Sequence, residues 1–251
     1  LVLRGWSLMG DAISHAVLPG LVIAGALGLP LVLGGFVAGL GCAISTGWLQ
    51  ANSRVKSDTV MGIVYAGMFG LGLILLTRVE TTQHVMHILF GNILGVSARD
   101  IVDTVLFGGL CLAFVLIRRR DLLLLSFDAT HARAIGLNIG LLHYGLLAAL
   151  SLTIVMALKA VGVILVVAML IAPGATGYLM ADRFERMLLI ATATATLSGV
   201  AGTLISFHID AAPGACIVLA QVSAFLGALL LAPKRGLLAS RRHRRTAIAR
   251  A

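Results

Sequence analysis

Long runs of apolar residues, each about 20 residues in length and separated by short polar breaks, dominate the sequence. Runs of this length are long enough to cross the hydrocarbon core of a bilayer as helices. They are continuously apolar and do not alternate, which excludes a transmembrane strand barrel. The pattern therefore predicts an all-α fold, a polytopic bundle of about eight membrane-spanning helices. The predicted segments are Leu8–Leu27, Leu31–Ala51, Val60–Thr77, Ile101–Ile117, Leu141–Leu158, Ala160–Ala181, Met187–Phe207 and Gly214–Ala232.

The first apolar segment differs from the others because it contains both an acid and an imidazole. Asp11 and His15 are four residues apart, which places them on one face of a helix. A carboxylate inside a membrane helix costs about 2.5–3.5 kcal/mol on the insertion scale and marks a functional site. Pro19 and Gly20 follow in the same segment. We therefore expect a site at this pair, in a segment that is not a single straight crossing.

Composition and charge support a membrane protein and exclude a soluble domain. The mean hydropathy is +1.05. Charged residues make up 12% of the 251 residues, against about 25% in a typical soluble domain. The net charge of +9 does not indicate nucleic-acid binding, because the basic residues lie between apolar blocks and in the tail, where they act as orientation signals.

The basic residues also predict the orientation of the chain. Sixteen of the 19 Lys and Arg residues fall on one side of the eight-segment arrangement, which is therefore cytoplasmic. This side includes a basic C-terminal tail, residues 233–251. The remaining stretches on the cytoplasmic side surround Arg4, Arg54 and Lys56, Arg118–Arg133, and Arg183 and Arg186.

Two polar stretches between the apolar segments carry further candidates. In the outer stretch, His84 and His87 are three residues apart, a spacing that suits a shared metal on a helix; the alternative is that they are interfacial residues. In the inner stretch, residues 118–140, Asp128 is placed to cap a short helix through Ala132 that ends at Gly136. Such a helix suits docking to a soluble partner, and a plain connecting loop is the alternative.

The remaining chemical signals are mostly structural. Cys42, Cys111 and Cys216 each lie in an apolar block without metal-ligand spacing, as small hydrophobic residues do. Pro173 and Pro213 predict kinks, either static or hinge-like. No phosphate-binding loop with the Gly-x-x-x-x-Gly-Lys-Ser/Thr pattern occurs. If ATP drives this protein, another chain must bind it.

Asp11 and His15 are the best candidates for metal chemistry. A carboxylate with a neutral imidazole suits Mn²⁺, Fe²⁺ or Zn²⁺. Two ligands make a weak site, which is useful in a transport path because the ion must leave again. Two copies facing each other would supply two carboxylates and two imidazoles. The structural alternative is that Asp11 caps the first helix and His15 is hydrogen-bonded within the bundle.

Several blocks of the sequence resemble the permease subunits of bacterial manganese/zinc/iron ABC importers, and are nearest to the manganese/iron branch. The resemblance spans nearly the whole chain in order, so it is specific. Its blocks are Leu3–Gly20, His87–Gly95, Phe127–Gly136, Lys159–Ala175 and Gly214–Val218. The family has a helix ahead of the first block that this sequence does not include, so we expect the sequence to be a fragment.

The resemblance implies one permease domain over residues 1–251 that forms the translocation path for Mn²⁺, Fe²⁺ or Zn²⁺, with no permanently bound cofactor and no catalysis of its own. The family's metal-path residues fall on Asp11 and His15, and its ATPase-coupling loop falls on Asp128, Ala132 and Gly136. The implied partners are a cytoplasmic ABC ATPase, an extracytoplasmic metal-binding protein, a second permease chain and membrane lipid, without nucleic acid. The implied location is the bacterial inner membrane, with the C-terminus cytoplasmic.

Two other hypotheses remain open from the sequence. One is a permease of related architecture for a metal chelate such as a siderophore or cobalamin, which needs a wide path and no metal ligands. The other is a secondary metal carrier, or a membrane scaffold, which would need no ATPase. Asp11 is nearly alone among acids at membrane depth, which argues against a proton relay.

Overall fold

The structure, a computed structural model, describes residues 2–4, 6–78, 95–232 and 236. These parts are helical and contain no strand, as the sequence predicts. After a short 3₁₀ turn at Val2–Arg4, the helices are α1 (Ser7–Ala16), α2 (Leu18–Ala26), α3 (Leu31–Asn52), α4 (Ser57–Arg78), α5 (Ala98–Ile117), α6 (Arg119–Phe127), α7 (Ala129–Ala134), α8 (Ile139–Val161), α9 (Val163–Met180), α10 (Phe184–Ile209) and α11 (Pro213–Leu231).

Seven stretches of the described residues are long and apolar enough to cross a membrane, and an eighth, Leu165–Met180, is shorter. The seven are Leu8–Ala26, Leu31–Gln50, Asp58–Arg78, Ala98–Ile117, Ile139–Leu158, Phe184–Ile209 and Pro213–Leu231. They correspond one for one to predicted segments, and the shorter helix corresponds to the predicted segment around Pro173. The polytopic helical bundle is therefore confirmed.

The chain forms two compact units, the first from Leu3 to Val166 and the second from Val167 onward. In the first unit, α2 and α3 are antiparallel and very close. A Cβ at Gly20 would meet the carbonyl of Gly34, and a Cβ at Gly34 would meet Ala24. Only glycine permits backbones to approach so closely, which is how helices gain packing energy in lipid.

Helix α3 packs against α2 on one face and against α8 on another, within the same unit. Gly39 leaves room for the Ser151 side chain, whose hydroxyl donates to the carbonyl of Phe36 at 3.4 Å. On the far side of α8, the ring of Phe114 from α5 lies where a Cβ of Gly145 would be. The central helix α8 therefore separates α3 from α5.

The second unit contains an antiparallel hairpin of α10 and α11. Gly202 lies against the backbone of Ile217, so these two helices also meet through a glycine. Asp210 ends α10 with φ 51°. The Ser206 hydroxyl donates to the carbonyl of Ala211 at 2.6 Å, which holds the turn between the two helices.

The inner stretch between α5 and α8 forms two short helices. The Asp128 carboxylate accepts from the backbone N–H of His131 at 2.8 Å and so caps α7. Gly136 has φ +82°, a conformation that favours glycine, and it ends this helix. Ala132 is completely buried. The predicted cap, helix and stop are therefore present, whereas the preceding helix α6 was not expected.

Candidate metal site

The first predicted segment is divided into α1 and α2 at Val17. Pro19 follows this point and has no backbone N–H to offer the carbonyl of His15, four residues earlier. The interruption is local, because Val17 keeps helical dihedrals (φ −69°, ψ −25°) and directs its N–H toward the carbonyls of Ile13 and His15. The segment is thus two helices joined through one helical residue, and together they form one candidate span, Leu8–Ala26. That it departs from a simple straight crossing stays a prediction.

Asp11 and His15 contact each other along α1. The distance from His15 Nδ1 to Asp11 Oδ1 is 3.3 Å, and from Nδ1 to the Asp11 carbonyl oxygen it is 3.1 Å. Ser14 is completely buried beside them, and its hydroxyl donates to the same carbonyl at 2.8 Å. The acid and the imidazole thus form one polar group on a helix whose other buried residues are largely apolar.

Asp11 is not the cap of its helix. It is the fifth of the ten residues of α1, and the N-cap position belongs to Trp6, which makes no side-chain capping bond. The ring of Trp6 instead meets His143 of α8 edge-on, with centroids 5.0 Å apart. This geometry removes the capping explanation for Asp11, because a cap must lie ahead of the first turn.

Two aromatic side chains of α4 pack against the ring of His15. Phe69 meets it edge-on with centroids 5.4 Å apart, and Tyr65 lies tilted at 5.7 Å. The next residues of α4 continue along the start of α2, because Phe69, Leu75 and Leu76 pack on Leu18 and Val22. Helix α4 therefore runs parallel to α1 and α2 and forms one wall of the site.

The contacts place the pair near the middle of two membrane-spanning helices. Tyr65 and Phe69 are the ninth and thirteenth of the 22 residues of α4. Cys42, the twelfth of the 22 residues of α3, lies beside Ala12, the neighbour of Asp11, with its sulfur 3.9 Å from the Ala12 carbonyl oxygen. The sequence left the depth of the pair open, and these neighbours put it about halfway along both helices.

The pair is partly open and offers two protein ligands. The side chains of His15 and Asp11 are 28% and 32% exposed, so neither is enclosed within this chain. Within the residues that the structure describes, no cluster of three or more His, Cys, Asp or Glu side chains could hold a metal. In the described part of the chain, the pair is thus one carboxylate and one imidazole without a third side chain of these types beside them.

Sequence reasoning missed the residues that surround the pair. Tyr65 and Phe69 are the two aromatic residues of α4, an otherwise aliphatic helix with four glycines, and they are spaced by one turn. That spacing predicts a shared face, but nothing in the sequence indicates which helix the face contacts. Ser14 lies next to His15 in the chain and carries no signal of its own.

The other predicted site residues are not part of this polar group. Asp128 and Gly136 cap and end α7, and Ala132 lies within it. His84 and His87 lie outside the described residues. The three cysteines are buried and free, which agrees with their interpretation as small hydrophobic residues.

The fold and the polar pair together define a polytopic membrane protein with ionisable side chains held inside its helices. The chain belongs to the ABC 3 transport family, whose profile matches residues 1–232. It is therefore a transport permease subunit, as the blocks around Asp11 and His15 indicated.

Individual relatives agree with this membership. The chelated iron transport system membrane protein YfeD of Yersinia pestis is 57% identical over 230 residues, which cover 92% of this chain and 77% of that protein. The manganese transport system membrane protein MntB of Synechocystis sp. is 47% identical over 246 residues, covering 98% and 80%. The solved structure of PsaBC from Streptococcus pneumoniae in complex with Fab matches with a TM-score of 0.86 and 41% identity, covering 93% of this chain and 84% of that one.

Proposed function

We propose that this chain forms the translocation path of an ATP-driven importer for divalent first-row metal ions, Mn²⁺ or Fe²⁺ with Zn²⁺ as a further candidate. The observation that carries the proposal is the partly exposed Asp11–His15 pair on α1, which lies beside residues about halfway along α3 and α4. The names of the manganese and iron transport relatives support the same class of cargo.

The chemistry of the pair fits these ions. A carboxylate oxygen and an imidazole nitrogen are ligands that Mn²⁺, Fe²⁺ and Zn²⁺ accept. Pro19 withholds the N–H that would otherwise reach the His15 carbonyl, so this oxygen is a further possible ligand next to the imidazole. A second permease chain facing the first supplies another Asp11 and His15, which raises the side-chain ligands from two to four.

Two features of the chain suggest its partners: the missing phosphate-binding loop and the capped helix α7. It has no phosphate-binding loop, so a separate cytoplasmic ABC ATPase supplies the energy. The ATPase docks on the exposed side of helix α7, which Asp128 caps and Gly136 ends, while buried Ala132 anchors the helix to the protein. An extracytoplasmic binding protein delivers the metal. The single permease domain lies in the bacterial inner membrane, with residues 118–140 and the tail 233–251 on the cytoplasmic side.

Metal uptake by vesicles that contain the chain and its ATPase partner tests this function. Mn²⁺, Fe²⁺ and Zn²⁺ are supplied together as competing free ions. In a separate measurement, an iron–siderophore complex is supplied to test transport of a chelate. We expect ATP-dependent uptake of free ions. Uptake of the chelate alone would favour the wide-path hypothesis, and uptake without the ATPase would favour a secondary carrier.

Substitution of the pair tests the site itself. Asp11→Ala and His15→Ala should each lower metal uptake by more than about tenfold, because each removes one of very few ligands. Asp58→Ala is the matched control, since Asp58 is an exposed acid in the first turn of α4. Normal uptake in Asp11→Ala, with normal membrane insertion, would overturn the site assignment.

A further inference from the structure

We propose that Tyr65 and Phe69 are positioning residues for His15, and that they hold its imidazole so that Nε2 is the nitrogen presented to the metal. This proposal rests on the proposed function, because it concerns how the same site takes its ion. In this proposal the two side chains of α4 orient the imidazole and do not bind the metal themselves.

The contacts of the imidazole distinguish its two nitrogens. Nδ1 lies 3.1 Å from the Asp11 carbonyl oxygen, 3.3 Å from Asp11 Oδ1 and 3.3 Å from the Ser14 hydroxyl. Among the residues that the structure describes, Nε2 has no such partner. With its proton on Nδ1, the ring donates toward Asp11 and leaves the Nε2 lone pair free for a cation. Metal-bound histidines are commonly oriented by a hydrogen bond of this kind.

Hydrogen bonds from Nδ1 alone do not fix the plane of the ring, because the imidazole can still pivot about this contact. Phe69 and Tyr65 restrict that movement by packing on the ring at an edge-on and a tilted angle, with centroids 5.4 and 5.7 Å away. Both centroid distances belong to the favourable range for pairs of aromatic rings. Orientation of the ring is therefore shared between α1 and α4.

Gly72 explains why α4 is close enough to make these contacts. A Cβ at this position would lie 2.9 Å from the Pro19 nitrogen and 2.9 Å from Leu18 Cγ. Residues 65, 69 and 72 follow one another at helical spacing, so they share one face. Helix α4 contacts the start of α2 through Gly72, and Phe69 and Tyr65 reach His15 from there.

Replacement of His15 by two amides tests which nitrogen binds the metal. The carboxamide of Gln extends about as far as Nε2, and that of Asn about as far as Nδ1. We expect the purified full chain with His15→Gln to retain measurable Mn²⁺ binding, and the chain with His15→Asn to bind no better than His15→Ala. The reverse order would overturn the assignment of Nε2.

Replacement of the aromatic residues tests the positioning role. Phe69→Leu and Tyr65→Leu should each weaken Mn²⁺ binding to the purified chain by about tenfold, the lower range for partners that orient a metal ligand. Tyr65→Phe keeps the ring and should bind Mn²⁺ as well as the unmodified chain does. Phe207→Leu makes the same chemical change at a side chain that is 80% exposed on α10, and should leave binding unchanged.

The two sets of variants separate failure of this proposal from failure of the proposed function. If the unmodified chain binds Mn²⁺ and His15→Ala does not, the site stands; unchanged binding in Phe69→Leu and Tyr65→Leu would then overturn the positioning role alone. If His15→Ala binds Mn²⁺ as well as the unmodified chain, the metal site itself is wrong. Equal losses in Tyr65→Leu and Tyr65→Phe would also contradict the positioning role, because the second variant retains the ring.

Discussion

A single carboxylate determines where helix α7 begins. The Asp128 side chain accepts from the N–H of His131 at 2.8 Å, and the helix that follows is only six residues long. In so short a helix most backbone N–H groups have no partner within the helix, so the cap is a large part of what holds it together. The proposed docking surface for the ATPase therefore depends on one residue.

Removal of this cap should uncouple ATP hydrolysis from transport. Asp128→Ala should destabilise α7 by about 1 kcal/mol and raise the number of ATP molecules hydrolysed per metal ion transported. Asp128→Asn retains an oxygen that can cap the helix and should behave like the unmodified chain. Asp121→Ala is the control, because Asp121 forms an ion pair with Arg118 at 3.2 Å on the neighbouring helix and caps nothing. An unchanged ratio in Asp128→Ala would contradict the docking role.

For single residues, spacing along the sequence predicted the contacts that form within one helix. The contact of Asp11 with His15 follows from a separation of four residues, and the cap at Asp128 follows from residue type and position. The contacts of His15 with Tyr65 and Phe69 link residues about 50 positions apart in sequence. They depend on which helix faces are neighbours, which one sequence without packing information does not specify.

Among the helices, glycine has two different consequences in α4. Gly72 lies against the break between α1 and α2, whereas Gly62, Gly67 and Gly70 have open space where a Cβ would be. Small residues such as these let helix backbones approach closely in lipid, but their spacing alone does not say which of them does so. The structure shows that one of them provides the contact next to the metal site.

Adding one methyl group to α4 should therefore affect metal uptake at one position and not at the other. Gly72→Ala should push α4 away from Pro19 and Leu18, displace Phe69 and Tyr65 from His15, and weaken metal uptake severalfold. Gly67→Ala fills open space and should leave uptake unchanged, with a gain of up to about 1 kcal/mol in helix propensity. Uptake measured in both variants at matched membrane levels checks this. Equal effects would contradict the seating of α4 through Gly72.

The apolar runs predicted the helices well because membrane helices must satisfy their backbone groups internally over a fixed length. The prediction failed at α6 (Arg119–Phe127), which is helical although it begins with two arginines and was assigned to a connecting stretch. Its four consecutive leucines, Leu122–Leu125, are too short a run to indicate a membrane segment. The length of an apolar run therefore detects membrane-spanning helices more readily than the short helices that connect them.

At the scale of a whole unit, the long helices of the first unit alternate in direction, as successive membrane crossings require, and the orientation expected from charge stays a prediction. Helices α1 and α2 run parallel to α4 and antiparallel to α3, as the neighbours of His15, Gly20 and Gly72 show. Helix α8 is antiparallel to both α3 and α5, since Gly39 meets Ser151 and Cys111 meets Ala149. The ends of these helices therefore alternate between two sides, and the side that carries Arg54 and Arg118 is the more basic one.

This arrangement predicts which residues can be reached from each side of the membrane. Ala98→Cys places a thiol at the exposed start of α5, and Ala129→Cys places one at the exposed start of α7. The native cysteines are buried, so they contribute little background labelling. A membrane-impermeant maleimide should label position 98 in cells with a permeabilised outer envelope and position 129 in inverted membrane vesicles. Labelling of both positions from one side would contradict the crossing of α5, and exchange of the two sides would reverse the orientation and remove α7 from the reach of a cytoplasmic ATPase.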